Sequence, residues 1–134
     1  METIRIALAT DDGTSFTDHH FGDALYYDIY DIQENSERFI KRIENTVKED
    51  EEKTHGEQKK AQGIMGLLKQ EGVQGAVSRV FGPNIKHIRH FFVCIVIRNT
   101  GTHAQALTAI QKNLEAIRSA FAKEEEKNIV SLTV

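Results

Sequence analysis

The side chains of this 134-residue sequence that are best suited to chemistry fall in three short stretches. The first carries Asp11, Asp12, Asp18, His19, His20, Phe21 and Gly22. The second carries Arg79 ahead of Gly82-Pro83-Asn84. The third runs Arg98-Asn99-Thr100-Gly101-Thr102-His103. An imidazole such as His20 can ligate a soft or borderline metal or hydrogen-bond a sulfide; the plain alternative is that it caps the turn that follows. His19, adjacent on an extended loop, points the other way and reads as solvated. Phe21 reads as a plug beneath the loop, and Gly22 as the supplier of a backbone angle other residues resist. Arg79 and Arg98 can hold an anion by charge-assisted hydrogen bonds, or they are surface arginines beside strand ends. Asn84 and Thr102 suit helix starts, and His103 is a secondary metal-ligand candidate.

Other polar groups support less chemistry. Asp11, Asp12, Asp28 and Asp31 raise a metal-dependent nuclease, which holds two cations with carboxylates. Asp11 and Asp12 read as turn residues, however. Asp28 and Asp31 have opposite parity on a strand, and no basic patch accompanies them. His87 and His90 share a helix face but make an incomplete metal site. Cys94 sits in an apolar strand and reads as a structural thiol. No nucleophile–base pair, P-loop or dinucleotide fingerprint is present.

The elements that must position these groups are legible from periodicity. Ile4–Ala9 alternates large and small residues, as a central strand does. Leu25–Ile32 and Arg38–Val47 form a hairpin through a turn at Asn35-Ser36, with Leu25, Tyr27 and Ile29 sharing one face and Phe39, Ile43 and Val47 facing inward. The charge run Lys48–Gly63 is a connection into a helix with Ile64, Leu67 and Leu68 on its apolar face, ended by Gly72. Gly75–Phe81 is a buried strand, Gly82-Pro83-Asn84 breaks it, and a short helix follows over Asn84–His90. Phe91–Ile97 is the most strand-like run. Thr102, with Gln105 three positions on, predicts a capping box at the start of a long helix, whose apolar positions Leu107, Ile110, Leu114, Ile117 and Phe121 alternate spacings of three and four. Asn128–Val134 has strand composition with no assigned neighbour: a sheet edge here, a neighbouring chain, or a disordered tail.

The order β-β-β-α-β-α-β-α predicts an α/β fold: a mixed five-stranded sheet, spatial order 3-2-1-4-5, with helices on both faces. Residues 1–122 form the domain, and 123–134 a charged run with a C-terminal strand or tail. The loops after the first, fourth and fifth strands then share the edge where open α/β sheets bind ligands, and exposed helix N–H groups there favour an anion.

The totals restrict the function. With 40% apolar and 28% charged residues, a formal net charge of -3 and a pI near 6.1, the chain lacks the basic footprint of a nucleic-acid binder. No apolar run reaches the roughly 18–20 residues of a membrane span. The first residues enter a strand directly rather than reading as a signal peptide, and the single cysteine fits a reducing, cytoplasmic setting.

Two segments resemble one family. Ala9-Thr-Asp-Asp-Gly followed by His20-Phe-Gly-Asp-Ala-Leu-Tyr-Tyr-Asp-Ile-Tyr-Asp is similar to the N-terminal signature of the dinitrogenase iron–molybdenum cofactor biosynthesis family. Gly72-Val73, Phe81-Gly82-Pro83 and Thr100-Gly101-Thr102 ahead of an alanine-rich helix resemble its second half. The resemblance spans roughly Ile4 to Ala122. It implies a three-layer, ribonuclease H-like fold and a small non-enzymatic accessory protein that binds or carries a molybdenum- or iron-containing sulfide cluster. The partners implied are a protein that donates or accepts the cluster, with a homodimer as a further assembly. The implied cofactor-binding residues are His20, Phe21, Gly22, Arg79, Gly82, Pro83, Asn84, Arg98, Gly101 and Thr102, with His20, and more weakly His103, as metal ligands. Three departures stand out: Asp23 where Arg is common, Arg79-Val80 in place of Gly-Gly, and a single His55 in the acidic loop. Losing the glycines restricts close backbone approach. Asp23, Arg79 and Val80 favour the rival expectation, a cofactor-free interaction domain on the same fold.

Overall fold

The computed structural model describes residues 3–45, 63–99, 101–123 and 126–134. Most of the charge run, Val47, His55 and Thr100 lie outside the described residues.

Strand β1 (Ile4–Thr10) is central: it pairs antiparallel with β2 (Tyr26–Gln33) and parallel with β4 (Gly75–Ser78). β3 (Ser36–Glu44) completes the hairpin, and β5 (Val93–Arg98) lies parallel to β4. The alternation in β1 explains its place. Ile4, Ile6 and Leu8 enter one apolar core with Val77, Ile95 and Ile97, while Ala7 and Ala9 enter the other with Tyr27, Ile29 and Cys94. Helices α3 (His103–Lys112) and α4 (Leu114–Phe121) cover the first face. The helix over residues 63–70 (α1) and α2 (Ile85–Ile88) cover the second, giving three layers. Arg5, on the small-residue face, pairs with Asp31 at 2.6 Å and donates to the Glu71 carbonyl at 2.8 Å. Gly72, at φ +77°, ends α1 as its position predicts. The Val73 N–H bonds the Leu68 carbonyl and the Gly72 N–H bonds that of Lys69, which satisfies two carbonyls of the last turn.

Five expectations need correction. The sheet has six strands, in order β3-β2-β1-β4-β5-β6, because β6 (Ile129–Thr133) adds in parallel to β5 and places Leu132 in the core. Phe39 does not face inward. A register shift opposite Ile29/Tyr30 makes an extra residue in β3, so Ile40 and Ile43 share the packed face. Phe39 is half exposed against Tyr30, its ring centroid at 5.4 Å. Leu25 stays outside β2 and is exposed. The last helix is broken at Asn113 (φ -124°), whose side chain donates to the Ala109 carbonyl at 2.8 Å. The break keeps the apolar face in phase, with Leu107, Ile110, Leu114 and Ile117 all buried. β4 is also shorter than expected, because Arg79–Phe81 leave the ladder and Phe81 turns inward.

Candidate functional site

The loop after β1 is tied down by its own polar residues. Thr10 donates to the Ser15 carbonyl at 2.6 Å, and Asp12 accepts from the backbone of Thr14 and Ser15 at 2.8 and 2.9 Å. Those bonds hold the Asp12 carboxyl well below the usual carboxylate range. Asp11 accepts from the Thr17 hydroxyl at 2.8 Å and the Leu25 N–H at 2.9 Å. Both are turn residues, as the sequence suggests. Asp28 and Asp31 are engaged by Arg42 and Arg5 at 2.7 and 2.6 Å, so each carboxylate raised for a nuclease already has a partner.

Phe21 begins a single 3-10 turn (Phe21–Asp23) and is 1% exposed. Its ring stacks on Phe81, centroids 5.3 Å apart and planes at 18°, and leans on Tyr27 at 5.1 Å. This is the expected plug, and it joins the β1 loop to the β4 loop. The Tyr27 hydroxyl, fully buried, donates to the Phe21 carbonyl at 2.7 Å; burial pushes its phenol pKa far up. The Asn45 amide donates to the carbonyls of Gly22 and Ala24 at 3.0 and 2.8 Å. Sequence reading missed both supports, although a tyrosine on a buried strand face needs a partner for its hydroxyl. Gly22 is a correction. It has no positive φ, and a Cβ there meets nothing within 4 Å.

Plugging the loop seats His20. Its imidazole lies against Gly82, which has φ +79° and whose α-carbon leaves no room for a Cβ beside Nδ1, Cγ and Cε1 of the ring. The Gly82 backbone therefore packs against the imidazole, and His20 is half-buried. His20 occupies the N-cap position but makes no side-chain cap bond; the capping alternative fails. Arg79 reaches Asp18 at 3.5 Å across the same two loops, and His19 is exposed. Pro83 and Asn84 continue from Gly82 into α2, and Asn84 makes no side-chain cap bond. The structure thus brings His20, Phe21, Arg79, Gly82, Pro83 and Asn84 together.

The third stretch has other contacts. Gly101 packs against Val134 beside β6, where a Cβ would overlap the valine side chain. Arg98 is exposed next to Asn99, which has φ +68°. Thr102 makes the expected capping box: its hydroxyl accepts from the Gln105 N–H at 3.3 Å, and its own N–H donates to Gln105 Oε1 at 3.0 Å. The His103 N–H bonds the Thr14 carbonyl at 2.9 Å. The first turn of α3 is therefore largely occupied, which corrects the expectation of an open, anion-ready helix end.

His103 is also not at the accessible edge. It is 5% exposed, edge-on to Phe16 at 4.9 Å, with neither ring nitrogen hydrogen-bonded and Nδ1 3.9 Å from Asp28 Oδ2. Burial pushes its pKa below 6.5 despite Asp28 and Asp12; Arg42 adds to the lowering. The unfolded chain then takes up this proton first, so stability falls as pH drops through about 6.5 toward the folded value. Melting temperatures between about pH 7.5 and 5 should fall less in His103→Leu than in wild type.

With loops, plug and seat in place, comparison with known families decides the lineage. The dinitrogenase iron-molybdenum cofactor family model matches residues 2–119. The chain belongs to that family. The matched region contains His20, the Arg79–Asn84 turn and the α3 start, and it ends before β6. No curated protein matches the chain. Family membership supports an accessory role linked to the cofactor. Among the described residues no group of three His, Cys, Asp or Glu side chains could cage a metal ion.

Proposed function

We propose that this member of the dinitrogenase iron–molybdenum cofactor family is a non-enzymatic carrier that captures an anionic molybdenum- or iron-containing sulfide cluster, or its precursor, at the His20–Arg79–Gly82 surface. The observation that carries this reading is the half-buried His20 ring seated on Gly82, beside Arg79 on the same pair of loops, with no side-chain cap bond. A neutral imidazole so held can ligate an exposed metal of the cluster or, protonated, donate to a sulfide. Arg79 supplies positive charge and gives up its 3.5 Å contact with Asp18, which is exposed and costs little to break. The cluster is cargo. One protein ligand and an ionic contact favour reversible capture and hand-over to a donor or acceptor protein in the cytoplasm, on a ribonuclease H-like scaffold.

The rival is a cofactor-free interaction domain, supported by the Asp18–Arg79 pairing and the occupied first turn of α3. Anaerobic titration of the apo-protein with tetrathiomolybdate, with and without iron, separates the two. The carrier gives a saturable charge-transfer band near one equivalent, and His20→Ala weakens it about tenfold or more. Unchanged affinity in His20→Ala, or no band under any condition, favours the rival.

A further inference from the structure

The two edges of the sheet are built differently. β3 carries Glu37, Arg38, Lys41, Arg42 and Glu44 and an extra residue that breaks its register, both of which discourage pairing with another strand. β6 (Ile-Val-Ser-Leu-Thr) has no charge, no proline and no irregularity over its five pairs with β5. Its outer backbone groups have no strand partner among the described residues. Val130 and Leu132 pack toward the α3/α4 core, while Ile129, Ser131 and Thr133 are exposed on the other face. This strand lies beyond the residues matched to the family, so it is a feature of this chain outside the shared region.

We propose that β6 is the interface of a two-fold homodimer, pairing antiparallel with β6 of a second copy to continue the sheet across both molecules. Self-complementarity selects a second copy as the occupant. A two-fold axis at Ser131 sets Ile129 against Thr133 of the partner strand, Val130 against Leu132, and Ser131 against its own copy, with no like charges opposed. The same operation on β3, centred at Ile40, sets Arg38 against Arg42 and is repulsive. The interface is small, so the dimer forms at raised concentration. It is independent of the cluster site, which lies on the β1 and β4 loops.

Sedimentation equilibrium over roughly 10–500 µM tests the proposal. Wild type should pass from monomer to dimer, and Ser131→Lys, which opposes two ammonium groups at the axis, should raise the dissociation constant about tenfold or more. In Ser131→Cys, the two thiols lie across an antiparallel pair, about 4.5–5.5 Å between α-carbons and within disulfide reach. Mild oxidation should give a covalent dimer far faster than in Ser36→Cys on the opposite edge; Cys94 is buried and does not compete. Should Ser131→Lys fail to fold, the cysteine comparison still decides. A monomer at every concentration, a dimer unaffected by Ser131→Lys, or equal cross-linking at the two edges would overturn it.

Discussion

Phe21→Ala should lower stability by about 3–5 kcal/mol and abolish cluster capture together. The ring is 1% exposed and touches both Phe81 and Tyr27. Its removal opens a cavity at the junction of two loops, where the sheet below cannot collapse to fill it. A melting temperature lower by roughly 10–20 °C is the corresponding calorimetric result. Phe21→Leu keeps most of the volume and should cost about 1 kcal/mol with capture retained. A cycle with Phe81→Ala should return a coupling of about 0.5–1.5 kcal/mol, the worth of the stacked pair beyond simple burial. Additive losses would mean the rings are neighbours without being partners.

Gly82→Ala is the second large effect, with the opposite balance. A non-glycine residue at φ +79° costs about 1–2 kcal/mol, less than the loss at Phe21. Its Cβ takes the space of the His20 ring, so the imidazole must leave its seat. Capture should therefore weaken at least as much as in His20→Ala, about tenfold or more, in a protein that still folds cooperatively. Gly22→Ala is the control: its Cβ enters open space, and both stability (within about 0.5 kcal/mol) and capture should stay near wild type.

Local chemistry was legible where it is strictly positional. The Thr102–Gln105 capping box, the Gly72 helix stop and the Phe21 plug follow from residue types at fixed spacings, and the order of the first five strands follows from a hairpin joined to crossovers. The misses share a cause. The register shift in β3 reverses the faces of Phe39 and Ile40, and no alternation pattern marks where an extra residue enters. The break at Asn113 leaves the apolar spacing unchanged, so the helix reads as continuous. β6 needed the open edge of β5, a tertiary fact. Within the site, Gly82 rather than Gly22 holds the left-handed angle. His103 went below the loop because its neighbours Phe16 and Asp28 come from distant elements.

The central claim is that the His20 imidazole is the protein's contact with the cluster. The measurement that reaches it most directly is the imidazole ¹⁵N spectrum of the uniformly labelled apo-protein during anaerobic titration with diamagnetic tetrathiomolybdate. Of six histidines, the one whose signals are missing in His20→Ala should shift at a ring nitrogen and saturate with the charge-transfer band. Saturation of the band with those signals unmoved would contradict the account.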